Sequence, residues 1–258
     1  MKKLLTADFR RIFKGKGIYV LMVLGFIFPA ISALVIRLTG LANDVEELGD
    51  LAAEVFNPVG MYAASFSPTQ NLGLILLIVV GVLLSGEFTN NTIRNKIVVG
   101  HSKTAIFLSS LITVLTYIFV VVLVNSSFTY LFNSISFGFG LQPFSAYFKR
   151  GLVAYSGIFV LYSLSTVATY LFKNLAGPLG IVLGVYFVLM MISTFVFAAN
   201  GGEGVKAKLL FYLFPFLYLA GIAAPLQLEW LWATLTNIGY LAVFTAAGIL
   251  IANRTDYK

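Results

Sequence analysis

The chain is a succession of apolar runs of about 20 residues, each long enough to cross a bilayer as a helix, separated by short polar and charged breaks. The pattern predicts six transmembrane helices, over residues 18–36, 68–85, 104–132, 151–172, 175–199 and 231–252. Pro29 falls inside the first and predicts a kink, because proline removes a helical hydrogen bond. A further apolar stretch, 209–228, is interrupted by Pro215 and Pro225. It reads as a pair of re-entrant helices dipping into the outer leaflet, with an ordinary kinked span as the alternative.

Composition narrows the class. Of 258 residues, 59% are hydrophobic and only 10% charged, with mean hydropathy +0.94. A soluble domain carries about a quarter charged residues, so this chain has too little polar surface to fold in water. Only helices and closed barrels satisfy the backbone in hydrocarbon. Barrel strands alternate over about ten residues, which the unbroken runs do not. The expected fold is an all-α polytopic membrane protein forming a single domain, 1–258. The chain has no cysteine and one histidine, His101. Thiolate metal sites and cysteine nucleophiles are excluded, and no metal site is expected.

Charge fixes the expected orientation, because cytoplasmic loops are enriched in Lys and Arg. With six spans and an inside N-terminus, twelve basic residues fall inside: Lys2, Lys3, Arg10, Arg11, Lys14, Lys16, Arg94, Lys96, Lys103, Lys173, Arg254 and Lys258. Five fall outside. With the acids included, the inside carries +9 and the outside −2, together the net +7 of the chain. A seventh span at 209–228 would export Arg254 and Lys258 and weaken that asymmetry. Topology accounts for the basic surplus, and no nucleic-acid partner is expected. Both termini are expected in the cytoplasm.

Residues 1–16 place Leu4, Leu5, Phe9, Ile12 and Phe13 near helical spacing, with basic residues on other faces. Such a segment suits a helix lying in the cytoplasmic interface, where Phe9 and Phe13 enter the membrane and Arg10, Arg11 and Lys14 reach anionic headgroups. The alternative is a solvated basic tail. The apolar run that follows is too long for the core of a signal peptide.

The centres of the six spans carry no charge, which argues against a carrier driven by an ion gradient. Their polar residues include Asn125, Ser163, Thr166 and Asn237. Hydrogen bonding between helices is the first role expected of them, and a cargo pathway the second. Gly177, Gly180 and Gly184 read as close helix contacts. Ser156 has no histidine in any span to act as its base, so intramembrane proteolysis is not expected.

The segment between the second and third runs mixes Glu87, Arg94, Lys96, His101 and Lys103 with apolar residues at Phe88, Ile93, Ile97 and Val98. It reads as a short amphipathic helix projecting into the cytoplasm. At these residues the chain resembles the permease subunits of type-2 ABC transporters. In that family an acidic residue closes the second span, a Gly-Thr-hydrophobic-Arg signature and a coupling helix follow, and a Ser-Arg or Ser-Lys pair enters the third span. Glu87, Thr92, Ile93, Arg94, Gly100, Ser102 and Lys103 match that order. Asn91 stands where the family usually has Gly, and His101 where a hydrophobic residue or Pro is frequent.

The resemblance implies a half-assembly: a second permease chain, identical or not, and a cytoplasmic ATPase that contacts residues 87–103, including Lys96. The chain lacks a GxxxxGK[ST] phosphate loop, so ATP and Mg would be held by that partner, and this chain is not itself expected to be an enzyme. Within the family it is similar to permeases that export, or confer immunity to, lantibiotics, bacteriocins and other amphipathic peptides. That implies the cytoplasmic membrane of a bacterium, with lipids as further partners. The resemblance also implies that Glu87 and Arg94 tie the coupling helix to the second span. A gradient-driven carrier or channel, and a non-transporting scaffold or sensor, are the alternatives from other classes.

Overall fold

A computed structural model describes residues 1–39, 58–67, 72–139, 143–199, 213–215 and 229–256. Nine helices are described: α1 (Lys2–Lys14), α2 (Lys16–Thr39), α3 (Pro58–Ala64), α4 (Leu72–Thr89), α5 (Thr92–Val98), α6 (Lys103–Phe137), α7 (Phe144–Phe172), α8 (Ala176–Ala199) and α9 (Trp230–Arg254). Five of them, α2, α4, α6, α7 and α9, are long and apolar enough to cross a membrane. α8 adds a shorter apolar stretch, Ala176–Ile192. The architecture is that of an all-α polytopic membrane protein. Apart from 213–215, the stretch expected to re-enter, 209–228, lies outside the described residues.

Two helices outrun the apolar runs that predict them. α6 extends to Phe137 and, at 35 residues, measures about 52 Å at 1.5 Å per residue. That exceeds a hydrocarbon core of about 30 Å, so it must tilt or project. It stops where Gly138 adopts φ +104 and ψ 145, a positive-φ conformation that glycine, having no Cβ, accepts readily. α7 starts at Phe144, seven residues before the predicted span, and carries Lys149 and Arg150 on its first turns. The charged residues mark where the helix leaves hydrocarbon. They do not mark where it begins.

α3 has no counterpart among the predicted elements. Pro58 occupies its first position, where the missing N–H costs nothing. Val59, Ala63 and Phe66 then follow at spacings of four and three and are buried. Asn125 of α6 donates to the Ser65 carbonyl at 3.1 Å and pins the end of this short helix.

The core lies between α4, α6, α7 and α8, where Leu77, Val80, Ile118, Val121, Tyr162 and Tyr186 are fully enclosed. α2 packs mainly along α6, and α9 along α7. The first pair is close at Gly25, where a Cβ would still be in ordinary contact with the Asn125 backbone at 3.6 Å. The opposite faces of these outer helices expose Val23, Ile31 and Leu38 on α2 and Leu235, Ile238 and Leu250 on α9. Such surfaces are at home in lipid, which offers no hydrophobic penalty.

The glycine reading needs correcting. Gly180 and Gly184 of α8 have open space where a Cβ would sit, whereas Gly177 abuts the Phe172 ring. Tight approaches come instead at Gly248 of α9, whose Cβ would run into the Phe107 ring of α6, and at Gly81, whose Cβ would lie 2.8 Å from Leu175 Cδ1.

Candidate functional site

At one end of the bundle four helices meet around buried charge. α1 presents Leu4, Asp8 and Ile12 on its buried face, one residue per turn. Asp8 is only 2% exposed and Glu87, in the last turns of α4, only 3%. Two isolated carboxylates at such depth would be strongly disfavoured. They are compensated by Lys96 of α5, whose Nζ lies 2.8 Å from Asp8 Oδ1 and 2.9 Å from Glu87 Oε2. Arg11 pairs with Glu87 Oε1 and lies 3.8 Å from Asp8 Oδ1. The Ser109 hydroxyl of α6 donates to Asp8 Oδ2 at 2.7 Å. All four carboxylate oxygens thus have partners, and the two acids and two bases cancel. One side chain, Lys96, ties α5 to both α1 and α4.

An apolar layer backs the cluster. Leu4, Ile93, Phe107, Leu111, Tyr170 and Ala252 bring together α1, α5, α6, α7 and α9. Tyr170 receives Phe88 and Phe107 edge-on at 5.2 and 5.1 Å, and its hydroxyl lies 3.1 Å from Ser110 Oγ. Phe13 carries α1 onto Tyr117 of α6, ring to ring at 5.9 Å.

The ion pairing differs from the expected one. Lys96 and Arg11, not Arg94, bind Glu87. Arg94 points to solvent because one turn of helix separates the faces: Ile93 and Lys96, three residues apart, face inward, and Arg94 and Asn95 cannot. Val98, expected on the apolar face, is 79% exposed together with Val99. Glu87 lies within α4 rather than in a loop, since that helix continues to Thr89. Asp8 and Ser109 were not singled out from the sequence. An aspartate four residues from both Leu4 and Ile12 on an apolar stripe is the signal that marks a buried acid.

The remaining motif residues shape α5 and its exits. Asn91 adopts φ +55, a left-handed conformation open to Gly and tolerated by Asn. Gly100, at φ +97, closes α5 with two bonds, from the Gly100 N–H to the Ile97 carbonyl at 2.9 Å and from the His101 N–H to the Lys96 carbonyl at 3.1 Å. This is a Schellman termination. Gly100→Ala should therefore destabilise the chain by about 1–2 kcal/mol, read as a lower thermal midpoint, although no neighbour lies within 4 Å of the missing Cβ. Ser102 caps α6, accepting from the Ala105 N–H at 3.2 Å. Lys103 donates to the carbonyls of Asn253 and Thr255 at 3.3 and 2.7 Å, and Lys173 to that of Asp256 at 2.9 Å. The end of α9 is thereby held to α6 and α7, with cations where the helix dipole favours them. Thr92 is half-buried at the start of α5.

On α1, Arg10 and Lys14 are exposed and Phe9 and Phe13 half-buried. Of the polar residues of the spans, Asn125 and Asn237 bond to other helices, whereas Ser163 and Thr166 do not. Asn237 donates to Ser156 Oγ at 3.0 Å, bridging α9 to α7. Ser163 and Thr166 return bonds to their own helix, at the carbonyls of Val160 and Tyr162.

A bundle of apolar spans, with a short helix on one end locked to two others by buried charge, defines an all-α polytopic membrane protein. The model of the family described as ABC-2 family transporter protein matches residues 4–190 of the chain. The protein belongs to that family: it is a multi-pass membrane protein and the permease component of an ABC transporter, distinct from the subunit that hydrolyses ATP. Membership implies an ABC ATPase as partner and, as is usual for the family, a dimer. Comparison with curated proteins and with solved structures returns no match.

Proposed function

We propose that the protein is the transmembrane subunit of an ATP-driven exporter that moves an amphipathic peptide, lantibiotic-like or toxin-like, or another hydrophobic compound across the cytoplasmic membrane. A separate ATPase docks on α5 from the cytoplasm, and a second permease chain completes the pathway. The observation that carries this reading is the buried cluster of Asp8, Arg11, Glu87 and Lys96, which joins the exposed α5 to the membrane helices. Arg94, Asn95, Val98 and Val99 form the outward tip of α5. A cleft of about 220 Å³ beside it is lined by Phe88, Asn91, Ile93, Arg94 and Lys173, among others.

Force applied to that tip passes through Lys96 to α1 and α4 together, because displacing α5 alone would strand two carboxylates in a low-dielectric site. Nucleotide-driven closure of the ATPases would thus tilt the interfacial helix and the second span as a unit. The uncharged spans favour a cargo that crosses by its apolar face over a small ion.

The test is to express the chain with the ATPase encoded beside it, reconstitute the pair in nanodiscs and measure whether amphipathic peptides stimulate ATP hydrolysis. Stimulation is expected. Arg94→Ala should abolish it, or prevent co-purification, while leaving the thermal midpoint of the isolated chain unchanged, as befits an exposed residue. Peptide transport by the chain without any ATPase would overturn the proposal.

A further inference from the structure

At the opposite end of the bundle from α5, a cavity of about 410 Å³ opens between α3, α6 and α7. Such a volume is in the range of sites for small molecules. Its deeper wall holds the hydroxyls of Tyr62, Ser126 and Tyr155, with Ser126 Oγ 3.4 Å from Tyr155 Oη. Ser126 is buried, and among the described residues no charged side chain lines the space. The rim carries Leu123, Phe144 and Phe148, all exposed.

Edge-on ring contacts brace the walls, with Tyr130 on Tyr147 at 4.8 Å, Tyr147 on Tyr62 at 5.6 Å, and Tyr62 on Phe66 at 5.3 Å. Phe66 in turn meets Tyr155 at 5.0 Å. Gly151 lets the Tyr62 phenol stand close against α7, because a Cβ there would lie 2.8 Å from Tyr62 Oη.

Depth assigns the surroundings. Lys149 and Arg150, which mark where α7 leaves hydrocarbon, stand between the lining residues Phe148 and Gly151. That places the mouth of the cavity at the interface, the level where acyl chains meet their ester groups. Tyrosine is enriched at such interfaces for its own sake. Enrichment does not account for a braced cavity with hydroxyls turned into its wall.

We infer that this cavity binds an acyl ester: the chain lies against the phenyl and phenol rings, and the ester carbonyl accepts from the hydroxyls of Tyr62, Ser126 or Tyr155. The described wall residues, being uncharged, offer no partner to an ionic headgroup, which stays at the rim. The carbonyl chemistry is shared by a bilayer phospholipid and by a transported lipid-like amphiphile. The site stands independently of the ATPase reading, and its test needs no ATPase.

The experiment places the purified chain in nanodiscs with either a phospholipid or a monoacylglycerol carrying a diazirine in its chain, and maps adducts by mass spectrometry. Labelling is expected to concentrate on residues 58–67 and 144–155. It should fall about tenfold in Leu123→Trp, which fills the mouth, while labelling of the exposed α2 face at Val23 stays constant as a measure of folding. Preference for the phospholipid assigns the source to the bilayer, and preference for the monoacylglycerol to cargo. Labelling no stronger than on α2, or unchanged in Leu123→Trp, would overturn the inference. So would protection by tetramethylammonium in place of unlabelled monoacylglycerol, which would mark the rings as a cation cage.

Discussion

Lys96→Met is expected to destabilise the chain by about 3–5 kcal/mol, because it leaves Asp8 and Glu87 buried with Arg11 as their only cation. Thermal unfolding of the purified chain in detergent measures the loss directly. Lys96→Arg keeps the charge and should retain most of the stability, although a planar guanidinium cannot reproduce the point charge that Lys96 places between two carboxylates. The triple variant Asp8→Asn, Glu87→Gln, Lys96→Met is the informative arm. It leaves no uncompensated buried charge, since the Arg11 side chain is 40% exposed and can turn to water. It should recover most of the lost stability. In the reconstituted complex it should nonetheless fail to couple hydrolysis to peptide, because the tie between α5, α1 and α4 is gone. A triple variant as unstable as the single one would mean that geometry, rather than charge balance, holds this end together.

The second large effect lies in the apolar layer behind the cluster. A Cβ at Gly248 of α9 would sit 2.0 Å from Cζ of Phe107 and within 2.8 Å of both Cε atoms. The ring has nowhere to go, being fully buried and packed edge-on against Tyr170. Gly248→Ala should therefore cost about 1–3 kcal/mol through overpacking, in a helix where Ala would otherwise be preferred by up to about 1 kcal/mol. Phe107→Leu in the same chain should recover part of the loss, and the double-mutant cycle reads the coupling between the two sites. Gly180→Ala is the control. With open space at its Cβ, it should be neutral or slightly stabilising.

These sites mark the boundary of what the chain reveals before it folds. The long spans were legible because a run of about 20 apolar residues has one solution in lipid. The segment around α5 was legible through the order of Glu87, Thr92, Arg94 and Gly100, and the structure supplies a reason for two of its positions. Asn91 and Gly100 both take positive φ, so they bracket a helix whose entry and exit are left-handed. The partner of Glu87 was not legible. Arg94 and Lys96 are equally basic and nearly equidistant in sequence, and only the phase set by Ile93 against the core turns Lys96 inward. The role of Asp8 lay one step further off, since its partners Lys96 and Ser109 stand 88 and 101 residues away. Nor could sequence place the cavity, which arises where α3, a seven-residue helix, meets two others.

The central claim is that α5 is the surface on which a separate ATPase acts. Because the chain has no cysteine, single-cysteine variants carry a photoreactive probe at one chosen place without further engineering. Val98→Cys at the tip of α5 and Ser127→Cys at the opposite end of α6 can each be labelled, reconstituted with the ATPase encoded beside the chain, and illuminated. The account predicts an adduct with the ATPase from position 98, dependent on nucleotide, and none from position 127. Equal adducts from both positions, or none from position 98 while the complex remains intact, would contradict it.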